Sequence, residues 1–222
     1  MIEFFQITGS ASFAARIALE EAAAAYEAVD IHPRRRDEPA SFGEVNPLRQ
    51  VPALREGAVT VYETGAVLLH LVDRFPEREL GPAVGDPKRP ELYRWILWLA
   101  DTLHPAWTPL MRSPTGDPEE AALAEIRTRA RAKMDAHGAY LEHELATGPW
   151  CLGDRFSVAD LYLYMLTGWQ SYALGYRLGG ENLRAHYERV GARPAVVRTR
   201  ELDDLQPNQL RYHPELRAGR PI

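Results

Sequence analysis

The sequence contains only one cysteine, Cys151, among its 222 residues. A single cysteine cannot form an internal disulfide, and this scarcity is typical of proteins from a reducing compartment. It also argues against a reductase with a cysteine near the start of the chain, because positions 9 to 12 are Gly, Ser, Ala and Ser. We therefore expect a cytoplasmic protein without disulfide cross-links.

Positive charge and long apolar runs are also lacking. The formal net charge of -5 argues against a nucleic-acid partner, which requires clustered positive charge. No apolar run approaches the roughly 20 residues of a membrane span, and the opening MIEFFQ lacks the basic start of a secretory signal. His137 and His143 are not spaced as ligands on one helix face, and no Cys/His cluster is expected, so we predict no metal. Neither nucleic acid nor membrane is an expected partner.

The first 77 residues show the pattern of an α/β domain. A short aromatic segment, an alanine-rich helix and a second apolar segment form a βαβ unit, which predicts two parallel strands. After a polar segment over 32–46, two strands flank Glu56-Gly57-Ala58 as a hairpin, and a helix follows. The predicted strands are Ile2–Ile7, Ala28–Ile31, Pro52–Arg55 and Val59–Tyr62, and the predicted helices are Phe13–Tyr26 and Thr64–Phe75. The order βαβ and then ββα is that of thioredoxin-like domains.

The rest of the chain predicts an all-α domain. Prolines and glycines without periodicity mark a linker. Beyond it, helical periodicity predicts helices over 91–111, 119–146, 157–172, 182–190 and 194–200, the first of them disturbed by Pro105. Ser157 to Asp160 (SVAD) has the pattern of a capping box at a helix N-terminus. We therefore expect a thioredoxin-like α/β domain over 1–77, a linker over 78–89, a helical domain over 90–205 and a tail over 206–222.

Two neighbouring motifs point to a function. The first, NPLRQVPAL over 46–54, contains Val51-Pro52 at the mouth of a strand, where proline cannot donate a ladder hydrogen bond. The second, VYET over 61–64, runs into an apolar helix. Glu63 and Thr64 therefore stand at a helix start, where free N–H groups and a hydroxyl favour anions. Together the motifs resemble the glutathione-binding half of the glutathione S-transferases. The resemblance implies a cis Val51-Pro52 bond, with the Val51 backbone pairing with the cysteinyl part of glutathione like one more strand.

Further motifs extend the resemblance over most of the chain, from Ile2 to about Glu201. GDRFSVAD over 153–160 and ARPAV over 192–196 are similar to segments of the family's helical domain, and LHPAWTPL over 103–110 looks like the bacterial beta class. The reactive cysteine of the beta class is missing, because Ala11 stands at its position. The tyrosine of the mammalian classes is missing too, with Phe5 and Gln6 in that area. The resemblance therefore implies a family member without beta-class thiol chemistry.

A hydroxyl is the remaining candidate for the group that stabilises the glutathione thiolate. Ser10, at the start of the first helix, lines up with the catalytic serine of serine-type members, and Ser12 is the second candidate. A hydroxyl that donates to a thiolate contributes about 1.5–3 kcal/mol, and the helix N-terminus adds a positive partial charge. The alternative is that both serines only cap the helix.

The other glutathione contacts follow from the same resemblance. Thr64 is expected to bind the γ-glutamyl carboxylate, with Glu63 facing the amine. Gln50 is expected at the glycyl carboxylate, and Arg35 is a second candidate for that group. The alternative for Arg35 is a solvated loop position, because two acidic residues follow the arginines there.

The helical domain supplies three more candidates. The beta-class histidine that matches His104 reaches the sulfur end of glutathione, so His104 is expected to donate to the thiolate or to act as an acid on the second substrate. The alternative is a histidine satisfied in the domain interface. Trp107 and Tyr164 are candidates for an apolar wall beside the second substrate, although aromatic residues of this kind are more often core.

Three functions fit these residues. The first is a homodimeric glutathione transferase that joins glutathione, its co-substrate, to a small apolar electrophile without a metal. The second is a glutathione-dependent isomerase or reductase. The third is a non-catalytic binding or regulatory protein, against which the retained Glu63 and Thr64 argue. The homodimer, with the first domain of one subunit against the helical domain of the other, follows from the resemblance alone.

Overall fold

The structure is a computed structural model that describes residues 1–32, 38–111, 120–172 and 176–203. A four-stranded sheet with flanking helices is followed by a helical part, which confirms the predicted fold class. The strands are β1 (Ile2–Gln6), β2 (Tyr26–Asp30), β3 (Ala53–Glu56) and β4 (Val59–Tyr62). The helices are α1 (Ser12–Glu21), α2 (Ala40–Val45), α3 (Thr64–Arg74), α4 (Arg89–Trp98), α5 (His104–Met111), α6 (Glu120–Leu145), α7 (Val158–Gly168), α8 (Glu181–Gly191) and α9 (Pro194–Leu202). Within these residues, no helix is both long enough and apolar enough to cross a membrane.

The sheet has the order β2-β1-β3-β4, with β1 parallel to β2 and antiparallel to β3. Successive residues of β1 serve opposite faces, as the two-residue period of a strand requires. Phe4 belongs to the large core beneath α1 and α3, whereas Phe5 stacks on Phe42 of α2 with ring centroids 5.3 Å apart. The central strand is therefore covered on both sides, and its C-terminal end leads into the turn before α1.

Two elements of the α/β domain differ from the prediction. The alanine run does not continue the first helix to Tyr26, because Ala23 adopts a left-handed φ of 48° and the chain enters β2 instead. The polar segment over 32–46 contains α2, which the sequence pattern did not reveal. Burial of Phe42 and Val45 stabilises this short helix, which is too short to show an amphipathic pattern in the sequence.

The predicted helix over 91–111 is divided in the region where Pro105 was expected to disturb it. α4 ends at Trp98, a π-helical turn spans Leu99–Leu103, and α5 begins at His104. Proline lacks the N–H that would bond to the carbonyl four residues earlier, and its ring crowds that carbonyl. The widened turn relieves this conflict and brings His104 to the boundary between the two parts of the molecule.

The capping box at α7 is confirmed. Ser157 Oγ accepts from the Ala159 N–H at 3.3 Å, and Asp160 Oδ2 accepts from the Ser157 N–H at 2.8 Å. All residues of α7 are buried, and the helix ends at Gly168 before a 3-10 turn over Trp169–Tyr172, short of the predicted end at Tyr172. The tail over 206–222 lies outside the described residues, and the domain boundaries stay predictions.

Candidate functional site

A cavity of about 280 Å³ opens where the α/β domain meets α5. Its walls come from the turn after β1, the loop before β3, the start of α3 and the first residue of α5. The lining residues are Ile7, Ala11, Asn46, Arg49, Gln50, Val51, Pro52, Glu63, Thr64 and His104. The structure thus brings together Gln50, Val51, Pro52, Glu63, Thr64 and His104, which the sequence assigned to one site from separate motifs.

The loop before β3 forms one wall of the cavity. Val51-Pro52 is cis, as predicted, and Pro52 is buried. Asn46 shapes the loop, because its side-chain amide donates to the Gln50 carbonyl at 2.8 Å and its side-chain oxygen accepts from the Leu48 N–H at 3.0 Å. These bonds hold Gln50 and Val51 on the cavity wall. The sequence contained Asn46 within the motif but did not reveal this role.

The start of α3 forms the opposite wall. Glu63 precedes the helix with a φ of 71°, a left-handed conformation that costs a non-glycine residue roughly 1–3 kcal/mol. Arg49, which also lines the cavity, has a φ of 52°. Backbone held in such conformations is found at functional sites. No acidic residue lies in the first turn of α3, so its N–H groups give this end of the cavity a positive partial charge.

Ser10 lies in the turn between β1 and α1, and Ser12 is the first residue of α1. Ala11, between them, lines the cavity, whereas neither serine does. Ser12 is 1% exposed, and its hydroxyl donates to the Ile7 carbonyl at 2.9 Å and accepts from the Ile7 N–H at 3.1 Å. The two hydroxyl oxygens are 2.9 Å apart, and Ser10 Oγ also accepts from the Ser12 N–H at 3.2 Å. Because the Ser12 proton is held by Ile7, the proton between the two oxygens is that of Ser10.

His104 faces the cavity from the helical side. Its Nδ1 lies 2.8 Å from the hydroxyl of Tyr162, and its ring packs edge-on against Trp169 with centroids 4.8 Å apart. Burial lowers the pKa of His104 to about 4, so the ring is neutral at pH 7. A neutral imidazole has one N–H, which suits it to donate a single hydrogen bond. The same pKa leaves little imidazolium at pH 7 to act as an acid.

Four predicted residues within the described part of the chain do not line this cavity, namely Ser10, Ser12 and the aromatic residues Trp107 and Tyr164. Trp107 is 0% exposed and packs against Tyr176, and Tyr164 is 2% exposed and stacks on Tyr187. Both therefore lie in the helical core rather than on the cavity wall, where they were expected to face a second substrate. Arg35 lies outside the described residues. Arg49, which was not assigned to the site from the sequence, also lines the cavity, and its guanidinium pairs with Glu38 at 2.5 Å.

A buried cluster away from the cavity was not expected from the sequence. Cys151, Asp160 and His186 place potential ligand atoms within 4.8 Å of one another, which corrects the expectation that no Cys/His cluster exists. His186 Nε2 is 2.9 Å from Asp160 Oδ1, a hydrogen-bond distance. Asp160 also accepts from the Cys151 N–H at 2.7 Å. Through these hydrogen bonds, Asp160 of α7 connects the backbone of Cys151 to His186 of α8, and its role is structural.

Comparisons with known proteins match both parts of the chain to one family. Residues 2–73 match the family model described as glutathione S-transferase, N-terminal domain, and residues 124–189 match that described as glutathione S-transferase, C-terminal domain. The glutathione S-transferase GstA of Escherichia coli O157:H7 is 32% identical over 199 residues, which cover 88% of this chain and 95% of that protein.

Solved structures give the same result. A sphingomonad glutathione S-transferase complexed with glutathione has a TM-score of 0.78 and 32% identity, covering 92% of this chain and 100% of that one. The bacterial beta class glutathione S-transferase of Sphingomonas chungbukensis has a TM-score of 0.76 and 30% identity, with coverage of 92% and 100%. The two family models, the level of identity and the nearly full-length coverage show that this chain belongs to the glutathione S-transferase family.

Proposed function

We propose that this protein is a glutathione transferase that adds the glutathione thiolate to a small apolar electrophile. The observation that carries the proposal is the cavity in which Val51, Glu63 and Thr64 face His104. Val51 offers backbone groups to the cysteinyl unit, and Thr64 offers a hydroxyl and helix N–H groups to the γ-glutamyl carboxylate. Glu63 faces the amine, and Gln50 binds the glycyl carboxylate, with Arg35 as a second candidate.

In this proposal the thiolate is stabilised by neutral donors. Ser10 turns its hydroxyl from Ser12 to the sulfur, whereas Ser12 keeps its bond to Ile7 and the shape of the turn. His104 donates from the helical side. Ala11, which the resemblance matches to the beta-class cysteine, lines the cavity. We therefore assign the chain a beta-class-like helical domain combined with activation of the serine type.

The reductase and binding-protein alternatives have less support. Cys151, the one cysteine, is buried away from the cavity, and burial raises the pKa of its thiol well above the ordinary value. A thiol held protonated in this way is a poor nucleophile. A protein that had lost glutathione would have no need of Glu63 and Thr64 at the cavity. We further propose a cytoplasmic homodimer with the domain boundaries predicted from the sequence.

Glutathione binding tests the proposal directly. A ligand that binds only the folded protein raises the melting temperature, so we expect a glutathione-dependent increase and conjugation of glutathione to an activated aryl halide. Thr64→Val should weaken glutathione binding about 10- to 150-fold, the value of one hydrogen bond to a charged group. Thr60→Val, on the exposed part of β4, is the matched control. Equal affinity of the wild type and Thr64→Val would refute the proposed site.

A further inference from the structure

Tyr162 of α7 connects the two sides of the cavity, although it does not line it. The side chain is 1% exposed, and its ring meets that of His104 at 87° with centroids 5.9 Å apart. Its hydroxyl lies 2.8 Å from His104 Nδ1. The same hydroxyl interacts with the side chain of Thr64, whose hydroxyl also points to the Ala11 carbonyl at 3.5 Å. One buried hydroxyl thus contacts a residue of each domain.

Each tautomer of His104 corresponds to one direction of the hydrogen bond between Tyr162 and His104 Nδ1. Burial raises the pKa of Tyr162 well above its ordinary value, so its O–H is intact. A neutral imidazole carries a proton on one nitrogen only, and a tyrosine hydroxyl has one proton to donate. When the tyrosine hydroxyl donates to Nδ1, that nitrogen carries no proton of its own. The imidazole proton then resides on Nε2.

We propose that Tyr162 is a positioning residue that donates to His104 Nδ1, fixes the orientation of the ring and keeps its proton on Nε2, available to the cavity. The consequence of this inference rests on the proposed function, in which the Nε2–H group of His104 donates to the glutathione thiolate. The hydrogen bond of the second ring nitrogen decides which nitrogen carries the proton. Without the tyrosine proton, the ring is free to hold its proton on Nδ1, where it no longer points to the sulfur.

Nitrogen NMR of His104 tests the tautomer in the free protein at pH 7. The wild type should show a protonated Nε2 and an unprotonated Nδ1, whereas Tyr162→Phe should show a mixture of both tautomers. Tyr164→Phe is the matched control, because Tyr164 lies two residues away on the same helix and its hydroxyl bonds to Arg200 at 3.1 Å. A wild type with its proton on Nδ1 would overturn the proposal whether or not the variants fold.

The second measurement concerns the reaction. In Tyr162→Phe we expect kcat to fall about five- to tenfold, the effect of one hydrogen bond, with the KM for glutathione nearly unchanged. The pKa of the bound thiol should rise in the same variant. Unchanged kcat and thiol titration, or an equal change in Tyr164→Phe, would overturn the role of Tyr162. If the wild type binds no glutathione, the proposed function fails, and the tautomer measured in the free protein still decides the assignment of Tyr162.

Discussion

Replacing Ser10 and Ser12 one at a time separates thiolate stabilisation from the structure of the turn. Ser12→Ala removes both partners that the Ser12 hydroxyl supplies to the Ile7 backbone. Unpaired buried polar groups cost about 1–3 kcal/mol, so the free energy of unfolding should fall by that amount, with little change in the bound thiol. Ser10→Ala removes the hydroxyl that, in the proposed mechanism, turns from Ser12 to the sulfur. A charge-assisted bond of about 1.5–3 kcal/mol, at 1.36 kcal/mol per unit, corresponds to a rise of about one to two units in the thiol pKa.

The assay follows the ultraviolet absorbance of the glutathione thiolate bound to each protein as the pH is raised, and urea unfolding is measured beside it. Ser10→Ala should shift the titration midpoint upward while glutathione affinity changes much less, because the proposed site assigns the rest of the tripeptide to Glu63, Thr64 and Val51. It should also lose about 1 kcal/mol of stability, since Ser10 Oγ accepts from the Ser12 N–H. A shifted midpoint in Ser12→Ala alone would make Ser12 the activating group. Unchanged midpoints in both variants would refute activation by a hydroxyl and leave His104.

Two further predictions concern stability. Because the folded-state pKa of His104 is about 4 against 6.5 for the free side chain, the unfolded chain binds more protons between these values, and stability should fall by up to about 3 kcal/mol as the pH decreases from 7 to 4. In urea unfolding, His104→Gln should lose less stability than the wild type as the pH decreases from 7 to 4. An equal loss of stability in both proteins would contradict the lowered pKa of His104. Asp160→Asn should lower the free energy of unfolding by about 2–4 kcal/mol, because the N–H groups of Cys151 and Ser157 share this buried carboxylate. Asp154→Asn, at an exposed residue paired with Lys88, is the control and should change little.

The fold was predictable where local pattern and packing agree. The capping box of α7 and the hairpin β3–β4 are specified by a few adjacent residues, and both were confirmed. The alanine run over 22–25 has high helix propensity, but α1 ends at Glu21, because the following segment gains more by pairing beside β1. α2 was missed because two buried residues, Phe42 and Val45, hold a short helix that has no visible period.

The sequence motifs predicted which backbone segments meet at the site, but they did not predict which side chains contact one another there. Val51-Pro52 and Glu63-Thr64 are contiguous motifs, so their meeting at one cavity follows from the hairpin that joins them. Tyr162 contacts His104 across 58 positions of the sequence, and no local pattern reports such a bond. Trp107 has the large apolar ring expected of a substrate wall, but its side chain is buried in the helical core. Only the three-dimensional packing of α5 distinguishes these two outcomes for an aromatic side chain.

The neutrality of His104 bears on how a thiol is ionised in this cavity. An ordinary thiol has a pKa near 8.5. In the proposed mechanism, two hydrogen bonds from Ser10 and His104 would each contribute about 1.5–3 kcal/mol and together lower that value by about two to four units. Burial of the sulfur opposes part of this shift. The bound thiol is then ionised near neutral pH without an imidazolium beside it. The cavity-lining Ala11 offers the sulfur no partner for a disulfide, so in the proposed mechanism the thiolate reacts with the electrophile.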